Sequence, residues 1–157
     1  MRLALILQTI CSTGIRVSEL EYITFSALKR QEAQVHCKGK IRKVLLPKTL
    51  CTRLLVYCRE KDIRTGSVFV TRRGKPMNRS NIWAAMKRLC ALAGVAAQKV
   101  FPHNLRHLFA LTFYRMEKDI VRLADILGHS SIETTRIYTL TSSTEHAKAI
   151  SRLHLLI

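Results

Sequence analysis

The apolar positions of this chain recur mostly at three- and four-residue steps, interrupted by glycines and by one short stretch of β-type runs. The run from Arg2 to Ser12 predicts a helix that Gly14 stops. Ser18 and Glu21 stand at the S-x-x-E capping-box spacing, which predicts a second helix starting near Ser18. "AQVHC" and "KVLLP" flank "KGKIR", with Gly39 for the turn, and this reads as a hairpin with a basic tip. "KTLCTRLLVYCREK" predicts a helix, "TRRGKPMNRS" a loop, and "SNIWAAMKRLCALAG" a helix closed by Gly94. Pro102 suits a first helical position, where its missing N–H would be unpaired anyway, and "HNLRHLFALTFYRM" continues that helix. "DIVRLADIL" forms another, ended by Gly128; Ser130 with Glu133 and Ser142 with Glu145 are capping boxes that open two more. The fold class is therefore mostly α with a small β-hairpin (α+β), one domain over residues 1–157 with a tail helix at 142–157, and no repeat or linker.

Composition narrows the partner. Twenty-seven Lys and Arg against ten Asp and Glu leave a formal charge of +17. Such a field attracts polyanions, so nucleic acid is the expected partner, and a basic RNA-binding protein fits the charge as well as a DNA enzyme does. The five cysteines are scattered, with no CxxC pair, so neither a zinc knuckle nor a disulfide framework is expected. The opening "MRLALILQTICSTG" is interrupted by Gln8 and is too short to span a bilayer, so it reads as an amphipathic first helix. A cytoplasmic protein with reduced thiols and no membrane partner is the expectation.

The candidate chemistry lies where helices break. His103, Arg106 and His107 fall at i, i+3 and i+4 and share one face, with Leu105, Leu108 and Phe109 expected to pack inward. The two histidines lack a third metal ligand and an intervening Glu, so a metal is not expected. Arg16 sits between the Gly14 stop and the Ser18 cap, where a guanidinium can present its planar fork to a phosphate, with Glu19 placed to buttress it. His129 follows Gly128, and Tyr138 comes nine residues later. Each of these alone reads equally well as packing or as a solvated surface.

Together, in this order, "TGIRVSEL", the basic hairpin, "HNLRH", "LGHSS" and "RIYT" resemble the catalytic domain of the tyrosine recombinases, from about residue 3 to about residue 155. The resemblance implies DNA strand cleavage and rejoining in site-specific recombination, as in integrases and transposon recombinases of bacteria, phages and mobile elements. It assigns Tyr138 as the nucleophile that forms a 3′-phosphotyrosine, and Arg16 and Arg106 as holders of the non-bridging phosphate oxygens. Lys38 would protonate the leaving 5′-hydroxyl, with Lys40 the alternative. His103 would assist proton transfer, His129 would hydrogen-bond the phosphate, and Glu19 would support Arg16.

No cofactor or metal is implied, because two arginines can carry the charge that phosphoryl transfer develops. Lys40, Arg42 and Lys43 on the hairpin and Arg72, Arg73, Lys75 and Arg79 on the loop are the expected DNA-backbone contacts. Asn104 and Leu108 depart from residues that are commonly Asp and Thr in relatives, at positions outside the catalytic set. Relatives usually carry an N-terminal DNA-clamping domain, which is expected to be missing from this chain. Double-stranded DNA is the implied partner, with a homotetramer on DNA and a monomer without it. The tail helix, with a stripe of Ala147, Ile150, Leu153 and Leu156, would dock on its own domain or on a neighbour. The same constellation resembles type IB topoisomerases, and a non-catalytic remnant of a mobile element is the further alternative.

Overall fold

The computed structural model describes residues 1–37, 39–96, 98, 100–138 and 151, with Cys37 and Lys40 described by their backbone alone. Helix α1 (Arg2–Thr13) ends at Gly14, whose φ of 63° is the left-handed cap that glycine adopts without strain. The α-helix predicted from Ser18 is instead a 3₁₀ turn, Val17–Tyr22. Its cap is not Ser18: the Glu19 carboxylate accepts from the Arg16 backbone N–H at 2.8 Å, which draws Glu19 back under Arg16. A short helix α2 (Phe25–Arg30), absent from the sequence expectations, follows, with the Thr24 hydroxyl accepting from the Ala27 N–H at 3.1 Å.

The hairpin is present. Strand β1 (Glu32–Cys37) pairs antiparallel with β2 (Lys40–Leu45), from Glu32 opposite Leu45 to Cys37 opposite Lys40. Alternate side chains of a strand share a face. Ala33, Val35 and Val44 are buried, while Ile41, Lys43 and Leu45 point to solvent. Arg42 has the parity of Val44 and lies opposite Val35, so register carries it inward.

Helix α3 (Lys48–Glu60) leads to a connection in which Val70 bridges Pro76, so the predicted loop is a tight turn displaying Arg72 and Arg73. Helix α4 (Arg79–Leu92) starts at Asn78, which caps it reciprocally with Asn81. Helix α5 (Pro102–Glu117) has proline in its first turn as expected. Helix α6 (Ile120–Leu127) ends at Gly128, and α7 (Glu133–Arg136) is entered through Ser131, whose hydroxyl accepts from the Glu133 N–H, rather than through Ser130. The segment expected to form the tail helix lies outside the described residues, Ser151 excepted.

Two apolar clusters result. The larger joins α1, the 3₁₀ turn, α2, the hairpin, α3 and α4 around Ile6, Ile10, Leu20, Val35, Leu54 and Phe69. Each such fully buried aliphatic or aromatic side chain contributes about 1.5–3 kcal/mol relative to exposure. The smaller gathers Ala110, Leu123, Leu127 and Tyr138, with Phe109 and Phe113 packed on it. Helix α5 connects the two, and its orientation departs from expectation. Leu105 and Phe109 are half-buried, but Leu108 is 53% exposed, and the position turned furthest inward beside Ala110 is Arg106, at 3%. A buried guanidinium is tolerated there only because acceptors meet it.

Candidate active site

Those acceptors are helix ends. The last carbonyls of an α-helix have no partner within it and carry the negative end of its dipole. Arg106 Nη1 donates to the Gly14 carbonyl, just past α1, and Nη2 donates to the Leu127 carbonyl at the end of α6, at 2.8 Å. Arg42 enters from the hairpin and donates through Nη1 to the Ile126 carbonyl at 2.9 Å. Its other terminal nitrogen meets Glu19 Oε2 at 2.6 Å, and Arg16 Nη1 meets Glu19 Oε1 at 2.9 Å. Glu19 is 3% exposed and is held by three donors. Two guanidiniums, Arg16 and Arg42, share the carboxylate, and the buried Arg106 lies within their electrostatic reach, so the three arginines and Glu19 keep two positive charges in excess.

This corrects the expectation for Arg42. It is not an outward DNA contact but an internal strut between the hairpin, Glu19 and α6. Gly128, with φ 65°, makes room for it, because a Cβ at that position would collide with the Arg42 side chain. Lys43, by contrast, is exposed and pairs with Glu32 at 3.4 Å on the hairpin's outer face. Arg72, Arg73 and Lys75 are exposed on the 71–77 turn. Lys38 lies outside the described residues, and of Lys40 only the strand position is known.

Above the cluster opens a cleft of about 490 Å³ lined by Arg16, Ser18, Arg79, Trp83, Phe101, His103 and Arg106 among others. Arg16 keeps a third of its side chain exposed toward solvent. His103 is exposed in the first turn of α5. The cleft is therefore a cationic, partly aromatic recess with buried Arg106 and the more exposed Arg16, Arg79 and His103 among its lining.

His129 and Tyr138 complete the group from the other side. His129 Nε2 lies 3.2 Å from Arg106 Nη2, and Nδ1 lies 2.9 Å from Thr135 Oγ1. Burial, reinforced by Arg106, Arg16 and Arg42, pushes the imidazole down to about 4, so it is neutral at physiological pH. Burial, with Arg16 and Arg42, lowers Arg106 to about 10, which leaves it charged. Tyr138 is 6% exposed, packed in the smaller cluster with its ring 4.9 Å from that of His107. The sequence places His107 on the face of His103 and Arg106 without giving it a catalytic role, and it does not single out Thr135. A threonine three residues before Tyr138 carries no signal until the fold brings it against His129, and the contact of His107 with Tyr138 likewise comes only from the fold.

The sequence pattern of the Phage integrase family matches residues 1–145. The chain belongs to that family. Tyrosine recombinase XerH of Campylobacter jejuni is 35% identical over 145 residues, which cover 88% of this chain and 41% of that protein. Among solved structures, XerH site-specific recombinase bound to difH substrate, a pre-cleavage complex, superposes with a TM-score of 0.79 at 25% identity, covering 98% of this chain and 47% of that one. The catalytic domain of bacteriophage HP1 integrase gives 0.66 at 26% identity, covering 94% of this chain and 79% of that domain. The chain spans about half the length of the curated relatives it matches. The phage integrase fold accounts for the helical clusters and the single two-stranded sheet of the described residues. Among those residues, no helix is long and apolar enough to cross a membrane.

Proposed function

We propose that this chain is the catalytic unit of a tyrosine recombinase, which breaks and rejoins double-stranded DNA through a 3′-phosphotyrosine on Tyr138. The observation that carries the reading is Arg16 and Arg42 on the carboxylate of Glu19 beside the buried Arg106, which meets His129 and feels the charge of Tyr138. A phosphodiester brings one negative charge into a site with two positive charges in excess, and the transition state spreads further charge over its equatorial oxygens. Arg16, partly exposed, and Arg106, rigidly held, take those oxygens. His103 on the cleft rim assists proton movement, and Lys38 serves the departing 5′-hydroxyl on the strength of the family resemblance.

A neutral phenol is a weak nucleophile, so the Tyr138 hydroxyl must give up its proton as it attacks beside the arginines. The covalent ester conserves the energy of the broken bond, so a 5′-hydroxyl from a second strand can reseal it. Arg79 at the cleft, the exposed Arg72, Arg73, Lys75 and Lys43, and, on the strength of the family resemblance, Lys40 supply backbone contacts. Residues 1–157 act as one catalytic domain, cytoplasmic and nucleoid-associated, monomeric alone and tetrameric on DNA. This agrees with relatives named tyrosine recombinases.

The test is incubation with supercoiled plasmid in EDTA, an SDS quench, and recovery of DNA bound covalently to protein. Adducts in the wild type and none with Tyr138→Phe are expected. Equal adduct levels in both would overturn the reading.

A further inference from the structure

A guanidinium has five N–H donors and no acceptor. The contact between Arg106 Nη2 and His129 Nε2 at 3.2 Å therefore needs a lone pair on Nε2. The single proton of the neutral ring then sits on Nδ1 and is donated to Thr135 Oγ1 at 2.9 Å. Thr135 is fully buried, and its own carbonyl accepts from the Tyr138 N–H at 3.0 Å. One residue thus touches both the histidine of the phosphate clamp and the backbone of the tyrosine. We infer that Thr135 is a positioning residue whose hydroxyl sets the His129 tautomer and reverses its hydrogen bond when a phosphate arrives.

The inference rests on the reading of the cluster as a phosphate site. A phosphate diester oxygen has no proton to give, so a histidine that binds it must donate from Nε2. In the free chain Nε2 is occupied as an acceptor, and His129 is in the wrong form. Binding requires one proton to leave Nδ1 for water and one to reach Nε2 from water, with no change in the ring's charge. The alternative, a doubly protonated ring, is opposed by Arg16, Arg42 and Arg106 around it. After the exchange, Nδ1 carries a lone pair in a buried setting and needs a donor. A hydroxyl accepts and donates equally well and turns by rotating its hydrogen alone. Thr135 can thus serve both tautomers without moving α7, and so without moving Tyr138. Valine has the same shape and serves neither.

The test is nitrogen-15 NMR of the imidazole rings in the full chain at neutral pH, with His129 identified by its loss in His129→Gln. The free protein is expected to show an Nδ1–H, Nε2-acceptor ring, and dimethyl phosphate, a diester with no proton to give, is expected to convert it to the Nε2–H form. Thr135→Val should lose that conversion and cut the rate of adduct formation on plasmid by roughly 10- to 100-fold, the size of one unmade buried hydrogen bond. Thr135→Ser should restore both to within about threefold, since it keeps the hydroxyl. An Nε2–H or doubly protonated ring in the phosphate-free wild type would overturn the inference. So would a Thr135→Val protein that converts and cleaves like the wild type. The free-state tautomer is read without DNA, so a wild type that forms no adduct would count against the recombinase reading and leave the Thr135 assignment to stand or fall on the spectra.

Discussion

Arg106 and Arg16 are both arginines of the same clamp, yet their surroundings give them different energetic roles. Arg106 is buried and donates to two helix-end carbonyls, so Arg106→Ala leaves a cavity and unpaired acceptors. We expect it to abolish cleavage and lower unfolding free energy by about 2–4 kcal/mol, measured by urea titration. Arg16 is partly exposed, and Glu19 retains Arg42 when it is removed. Arg16→Ala should therefore cost about 1 kcal/mol or less of stability, while the rate of adduct formation falls roughly 10²- to 10³-fold, as for loss of one transition-state donor. His129 adds a pH signature. Its folded pKa of about 4 lies below the unfolded value of about 6.5. The unfolded chain then binds the extra proton first, so this residue leaves stability untouched above about pH 6.5 and erodes it as pH falls toward 4. His129→Gln should flatten that part of the stability profile, and an unchanged profile would refute the assignment.

At the level of elements, the site is built by helix ends and one strand rather than by helix faces. The C-terminal carbonyls near Gly14 and Leu127 receive Arg106, and the Ile126 carbonyl receives Arg42 from β2. Gly128 is where this construction is tightest. Gly128→Ala meets both a positive φ and the Arg42 side chain, whereas Gly74→Ala meets a positive φ and open space. Thermal unfolding should show Gly74→Ala costing about 1 kcal/mol and Gly128→Ala clearly more, with phosphate affinity reduced only in the latter.

Most helices were legible in the sequence because their apolar spacing and glycine stops are local. Helix α2 was not, since six residues give too little periodicity and its cap is a lone Thr24. Arg42 was misread because a basic residue near a hairpin tip looks solvated until register is known; its parity with Val44 is what turns it inward. Arg16, Glu19, Arg106 and His129 do meet in space, as their family order implied. The contacts of Thr135 and His107 arise only from packing between α5, α6 and α7.

For the whole molecule, the excess of positive charge is divided into two kinds. Glu19, Arg16, Arg42 and Arg106 form one cluster at the site, while Arg72, Arg73, Lys75 and Lys43 stand exposed. Only the second kind should behave as screened contacts. Replacing Arg72, Arg73 and Lys75 with alanine should reduce the slope of log affinity against log salt by about 0.9 for each phosphate no longer neutralised, without abolishing the adduct on plasmid at low salt. An unchanged slope would show that the 71–77 turn does not face DNA. These parts converge on one phenol, and that convergence is tested most directly by mass spectrometry of the SDS-quenched plasmid reaction after nuclease and protease digestion. A nucleotide ester is expected on the peptide that contains Tyr138; an ester on Tyr114 or any other residue, or no ester at all, would contradict the assignment.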